Sequence, residues 1–106
     1  MASQNLSSIQ SVIITDSTEG AYYNGVPSSR LRKFNEELPA GSCGIYIGES
    51  GNFNLFVIKS GDNDGTITPY IGIAGGVIHP ISARQIVSRN VGSVGATTAR
   101  HIVVEY

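Results

Sequence analysis

Four residues of this 106-residue chain carry side chains from which an active site could be built: Cys43, His79, His101 and Asp62. Catalysis needs an activated nucleophile, a paired acid and base, or a metal. His79 precedes Pro80 and His101 opens an apolar run, and neither stands in an H-x-H or H-E-x-x-H spacing. Two isolated histidines match no catalytic motif, so structural roles are expected for both. Cys43 is the sole cysteine, which excludes an internal disulfide. Beside Gly44 and Ile45 it reads as a small core residue. Asp62, Asn63 and Asp64 form an acidic loop that could offer carboxylates to Ca²⁺. Aligning Gly65 with the invariant glycine of a calcium loop puts Ser60 first and Ile71 last, so the required bidentate glutamate is missing. Turn chemistry accounts for these residues. The expectation is a non-enzyme without catalytic residues, metal or cofactor.

A second group of residues suits contact with another protein. Arg30, Arg32 and Lys33 form a basic cluster, followed at once by Glu36 and Glu37. On a helix, Arg32/Glu36 and Lys33/Glu37 would be i,i+4 pairs. The cluster is either a self-paired solvated face or a contact site for an acidic partner. Arg84 and Arg89 flank Ile86-Val87, and arginine is enriched at interfaces. Tyr22 and Tyr23 lie in a turn-rich stretch, and Tyr70 lies in a strand-like one. The partner-contact candidates are therefore Tyr22, Tyr23, Arg30, Arg32, Lys33, Arg84 and Arg89.

Composition narrows the partner. Hydrophobic residues make up 41% and charged residues only 14%, against a usual quarter or so charged. A surface this poor in charge suits lasting contacts, because few charges must be desolvated on association. The net charge is −1, so binding to nucleic acid through phosphate neutralisation has little support. No glycine-rich loop follows a strand and opens a helix, so nucleotide binding is unsupported as well. No apolar run is long enough to span a bilayer, and no membrane partner is expected. Met1 to Gln10 is polar and lacks the features of a secretory signal, so folding in a cytoplasm is expected.

The elements that must position these residues read as short strands. Thirteen glycines and four prolines divide β-branched and aromatic runs. Residues 1–10 read as a flexible polar arm and 11–106 as one β domain. Ser11–Thr15, Cys43–Ile47, Phe53–Lys59, Thr66–Ile73, a stretch within Val77–Ser88, and Arg100–Tyr106 are the strand candidates. Phe53–Lys59 is apolar on both faces, which points to burial on both sides. Ser60–Gly65 is the connection of a hairpin. Pro69 argues for an edge strand or a bulge, since it cannot donate to a ladder. Gly48–Asn52 reads as a tight loop, Gly75-Gly76 as a turn and Gly92–Thr98 as a loop. Ser28–Leu38 is either a short helix, with Leu31, Phe34 and Leu38 on one face, or an extended segment. The fold class is all-β, a small antiparallel sandwich or barrel with at most one short helix near residues 29–38. The β signal is strongest over 41–106.

Residues 40–106 resemble a pattern met in small structural proteins of tailed-phage virions. The motifs are Gly44-Ile45-Tyr46-Ile47-Gly48, the Asp64-Gly65 tip, Gly75-Gly76-Val77-Ile78-His79-Pro80-Ile81 with Arg84, and Ala96-Thr97-Thr98 leading to Ile102-Val103-Val104-Glu105-Tyr106. Arg100-His101 before the last strand and the N-terminal extension depart from it. The resemblance implies a virion protein that decorates or cements a phage capsid by binding the major capsid protein, and that associates with itself as a dimer or trimer. It places the chain on the capsid surface after folding in the host cytoplasm. An alternative reading is a carbohydrate- or receptor-binding β domain of a head fibre or spike, prompted by the tyrosines and the Asn/Asp loops.

Overall fold

The computed structural model describes residues 10–15, 23–88 and 97–106. The described residues form eight strands: β1 Ser11–Thr15, β2 Leu31–Lys33, β3 Gly44–Ile47, β4 Asn52–Lys59, β5 Ile67–Ala74, β6 Ile78–His79, β7 Ala83–Val87 and β8 Ile102–Glu105. They make two sheets, one of five strands in the order β2-β1-β8-β3-β6 and one of three in the order β5-β4-β7. All pairs are antiparallel except β1 with β2, which run parallel. The expected all-β class holds, and of the sandwich and the barrel the two separate sheets make the sandwich, with one parallel pair inside an otherwise antiparallel plan.

The core lies between the sheets. Val12, Ile14, Ile45, Ile47, Ile102 and Val104 come from the five-stranded sheet, and Leu55, Val57, Ala83 and Ile86 from the three-stranded one. The period of two explains the first set: in β1 and β8 every second residue is buried. β4 departs from alternation, as its sequence suggested. Leu55, Phe56, Val57 and Ile58 are all buried. Leu55 and Val57 enter the main core, whereas Phe56 and Ile58 join Val87 and Ile67 in a second cluster on the far face of the sheet.

The segment from 28 to 38 is not a helix. One 3₁₀ turn, Ser28–Arg30, runs straight into β2, where Leu31, Arg32 and Lys33 pair with Ile13, Ile14 and Thr15. Leu31-x-x-Phe34 was too short a periodic signal to outweigh pairing along β1. The chain then crosses to the other sheet. The backbone N–H groups of Asn35 and Leu38 donate to the carbonyls of Ile86 and Arg84 (2.8 and 2.7 Å), so this segment covers the outer edge of β7. Phe34 and Leu38 pack on the core from there.

At β5 the edge is protected by sequence instead. Phe56 donates its N–H to the Thr97 hydroxyl on the β7 side. Its partner Pro69 therefore sits where a backbone N–H would face away from β4. The register slips between Phe53 and Asn54, where Gly72 at φ 75° supplies the extra residue of a bulge. Pro69 thus marks the edge, and the bulge falls three residues later. The stretch Val77–Ser88 holds two strands, β6 and β7, which belong to different sheets. Gly48–Asn52 likewise carries the chain from one sheet to the other. The link after β5 passes so close to this loop that a Cβ on Gly75 would lie 1.6 Å from the Glu49 carbonyl oxygen. Only glycine fits there.

Candidate interaction surfaces

The partner-contact candidates divide into three groups. Tyr22 and Arg89, with most of the 1–10 arm and of the Gly92–Thr98 loop, lie outside the described residues. Tyr23, Arg32 and Arg84 are engaged within the chain. Tyr23 is half-buried, and its hydroxyl lies 3.0 Å from His101 Nδ1, the two rings meeting edge-on at 6.4 Å. Arg32 turns its guanidinium back onto the carbonyls of Ser29 and Leu31, both at 2.9 Å. Arg84 pairs with Glu37 at 3.1 Å and donates to the Asp62 carbonyl at 3.0 Å. It ties β7 to the 34–39 segment and to the β4–β5 hairpin. Arg30 closes the 3₁₀ turn and is half-buried, while Lys33 is exposed.

The i,i+4 pairs expected of a helix are replaced by longer-range contacts. Glu36 accepts the Lys33 backbone N–H at 2.8 Å, and Glu37 reaches across the fold to Arg84 and Gln85. The hydrogen bonds from Arg84 and then Gln85 hold the Glu37 carboxyl below its usual value. Those from Thr66 do the same for Asp64, whose Oδ1 takes both the hydroxyl at 2.7 Å and the N–H at 3.1 Å of that residue. The acidic loop is thereby a closed turn, with Gly65 donating to Asp62.

Cys43, His79, His101 and Asp62 do not converge. Cys43 precedes β3 at the Glu105 end of the β3–β8 pair, and His101 lies at the Ile102 end, roughly 15 Å further along at 3.4 Å per residue. His79 bonds the Ala74 carbonyl at 2.7 Å, pinning the turn between β5 and β6. Among the described residues no three His, Cys, Asp or Glu side chains are grouped to hold a metal ion, and no helix is long and apolar enough to cross a membrane. Cys43 also corrects an expectation. It is exposed, since it lies just outside the strand, and the buried place beside it belongs to Ser42.

Ser42 and Thr97 are residues that sequence reasoning missed. Both are buried, and each hydroxyl joins two backbone groups. Ser42 donates to the Ala83 carbonyl and accepts the Ala83 N–H, at 2.9 and 2.8 Å. Thr97 accepts from Phe56 and donates to the Val87 carbonyl. Thr98 continues alongside β4, exchanging bonds with Asn54 at 2.9 Å. A lone Ser or Thr in a loop carries no sequence signal for such a role.

Exposed apolar side chains remain on both sheets. Ile71 on β5, Val77 in the next turn and Ile78 on β6 are 69%, 52% and 58% exposed. Ile71 pairs with Asn54, on the outer face of the three-stranded sheet, whereas Ile78 pairs with Tyr46 in the five-stranded one. Register extends the second of these. Leu31 pairs with Ile13, Ile13 with Val103, Val103 with Tyr46, and Tyr46 with Ile78. Paired residues share a face. The strand neighbours of Ile13, Val103 and Tyr46 supply the core, so these three, with Leu31 and Ile78 paired to them at either end, form one apolar row across the outer face of the five-stranded sheet, half-buried except at Ile78. Ile78 leans over Gly44, where a Cβ would meet its Cγ2 at 3.1 Å.

Fold and surface define a two-sheet β domain with Ile71, Val77 and Ile78 exposed on its outside. Comparison with known proteins finds no matching family model, curated protein or solved structure.

Proposed function

We propose that this chain is a non-catalytic structural protein of a phage virion, which attaches to major capsid protein subunits and decorates or cements the shell. The observation that carries the reading is the pair of large aliphatic side chains held in the open on the edge strand β5 and the link after it: Ile71 and Val77. Aliphatic groups of this size on rigid strands favour a surface that another protein covers. The low charge content supports the same reading, because little charge is stripped of water on contact. The resemblance over residues 40–106 supplies the capsid as the partner. A cement protein joins a repeated lattice, so many modest contacts suffice where one would be weak.

The test is direct. Particles of the phage that encodes this chain, banded on a density gradient, are expected to carry it in fixed proportion to the major capsid protein. Its absence from intact particles overturns the proposal. With the wild-type chain bound to empty heads as the reference, Ile71→Lys is expected to lower occupancy.

A further inference from the structure

We propose that the outer face of the five-stranded sheet binds a second copy of this chain, the two sheets stacking face to face about a two-fold axis that runs along the row Leu31-Ile13-Val103-Tyr46-Ile78. This deepens the virion reading by naming its self-contact, yet it concerns the isolated chain and stands or falls on its own.

The pattern on that face selects the partner and the axis. On one flank of the row lie Ser11, Glu105 and Gly44, which pair with one another across β1, β8 and β3. On the other flank lie Lys33 and Thr15, paired across β2 and β1. One flank is thus acidic and the other basic. The one ion pair between described residues is Arg84–Glu37, so neither Glu105 nor Lys33 spends its charge in such a pair.

A half-turn about the row lays apolar row on apolar row and sets each Glu105 flank over a Lys33 flank. A half-turn about the strand direction would instead set Glu105 over Glu105. Charge therefore favours the first axis. The arrangement is isologous, so one patch meets itself and the assembly closes at two. β8 and β2 are two strand spacings apart, roughly 10 Å. Glu105 and the partner's lysine thus attract within about a Debye length and do not form a direct salt bridge.

Size sets the strength. The five strands span two to five residues each, and at about 3.4 by 4.8 Å per residue they give a footprint on the order of 300 Å² per copy. That is well under half of the roughly 800 Å² per partner in a standard stable interface. The dimer is accordingly weak in free solution and depends on concentration.

Sedimentation velocity on the purified chain over a hundredfold concentration range tests this. The wild type is expected to pass from monomer to dimer, and Val103→Lys at the row's centre to stay monomeric. Ile78→Lys, at a position already 58% exposed and so safe for folding, is expected to weaken the dimer, with circular dichroism melting confirming that both variants fold. Glu105→Lys is expected to raise the dissociation constant about tenfold at low salt, with less effect at high salt. Adding Lys33→Glu to it is expected to restore most of the loss. Ile71→Lys, on the other sheet, is expected to dimerise as the wild type does. A chain that stays monomeric throughout overturns the proposal. So does a dimer that survives both Val103→Lys and Ile78→Lys, or one lost to Ile71→Lys. Loss in Glu105→Lys without rescue by Lys33→Glu overturns the axis. Virion incorporation is read separately, so either proposal can fail alone.

Discussion

The two sheets use their second faces differently. In the three-stranded sheet, β4 is buried on both sides: Leu55 and Val57 toward the core, Phe56 and Ile58 into a second cluster with Val87. In the five-stranded sheet the inner residues are fully buried, while the outer row is half-buried and ends on exposed Ile78. In the three-stranded sheet Phe56, Ile58, Val87 and Ile67 close their outer face into a cluster that stabilises the chain itself, with Ile71 of the edge strand left open. The five-stranded sheet, on the proposed reading, offers its outer row to a second copy of the chain. The protected edges fit this division, since β7 is covered by residues 35–38 and β5 carries Pro69.

The largest effects are expected where that difference is sharpest. Leu55→Ala removes a fully buried side chain from the main core and is expected to cost about 2–5 kcal/mol. Phe56→Ala, on the opposite face of the same strand, is expected to cost about 3–5 kcal/mol if the second cluster packs as tightly as the first. Urea unfolding of the two variants measures both. A loss under about 1 kcal/mol for Phe56→Ala would mean that the outer cluster is loosely packed, and the contrast between the sheets would collapse.

Next come the buried hydroxyls at the seams. Thr97→Val keeps the shape of the side chain but leaves the Phe56 N–H and the Val87 carbonyl without that partner. A loss of about 1–3 kcal/mol is expected. Ser42→Ala strands the Ala83 N–H and carbonyl in the same way and should cost a similar amount. Ser42 lies just before β3, so it ties the five-stranded sheet to β7, whereas Thr97 seals the three-stranded sheet. Native-state hydrogen exchange separates the two: Thr97→Val should lower protection in β4 and β7 first.

Much of the fold was legible because strand spacing writes itself into composition. Ser11–Thr15 and the β4 run were recognisable from β-branched residues, and Pro69 pointed to an edge or a bulge, of which the edge holds at Pro69 itself. The 28–38 segment was not legible, since three residues of extended chain and a short helix share the same apolar spacing, and pairing with β1 decides between them. The surfaces were less legible still. Arg32 and Arg84 look like contact residues in sequence, yet each finds its partners within the chain, Arg84 across a separation of 47 residues. The apolar row is invisible in sequence for the opposite reason. Its five members come from five strands, and only register aligns them.

The smallest expected effect concerns acid. The carboxyls of Glu37 and Asp64 both titrate below their ordinary values, and both lie on the three-stranded side, against β7 and at the tip of the β4–β5 hairpin. In the unfolded chain each takes up its proton around pH 4. In the folded chain each does so at lower pH. Over that interval the unfolded state binds more protons, so stability falls as the pH drops through it. Above pH 5 the contribution is fully present, and no change with pH is expected from these two groups. Both are solvent-exposed, so the slope is shallow. Arg84→Gln removes the cation that holds Glu37 down, and Thr66→Val removes the hydroxyl bonded to Asp64. Each variant should flatten the decline of the urea midpoint between about pH 5 and 3. Carboxyl NMR titrations should show the Glu37 resonance moving back toward its ordinary pKa in Arg84→Gln. If acid instead weakens β1 and β8 before β5 and β7, measured by hydrogen exchange, then the three-stranded sheet is not the side tied down by paired carboxylates, and the division of labour between the sheets needs another cause.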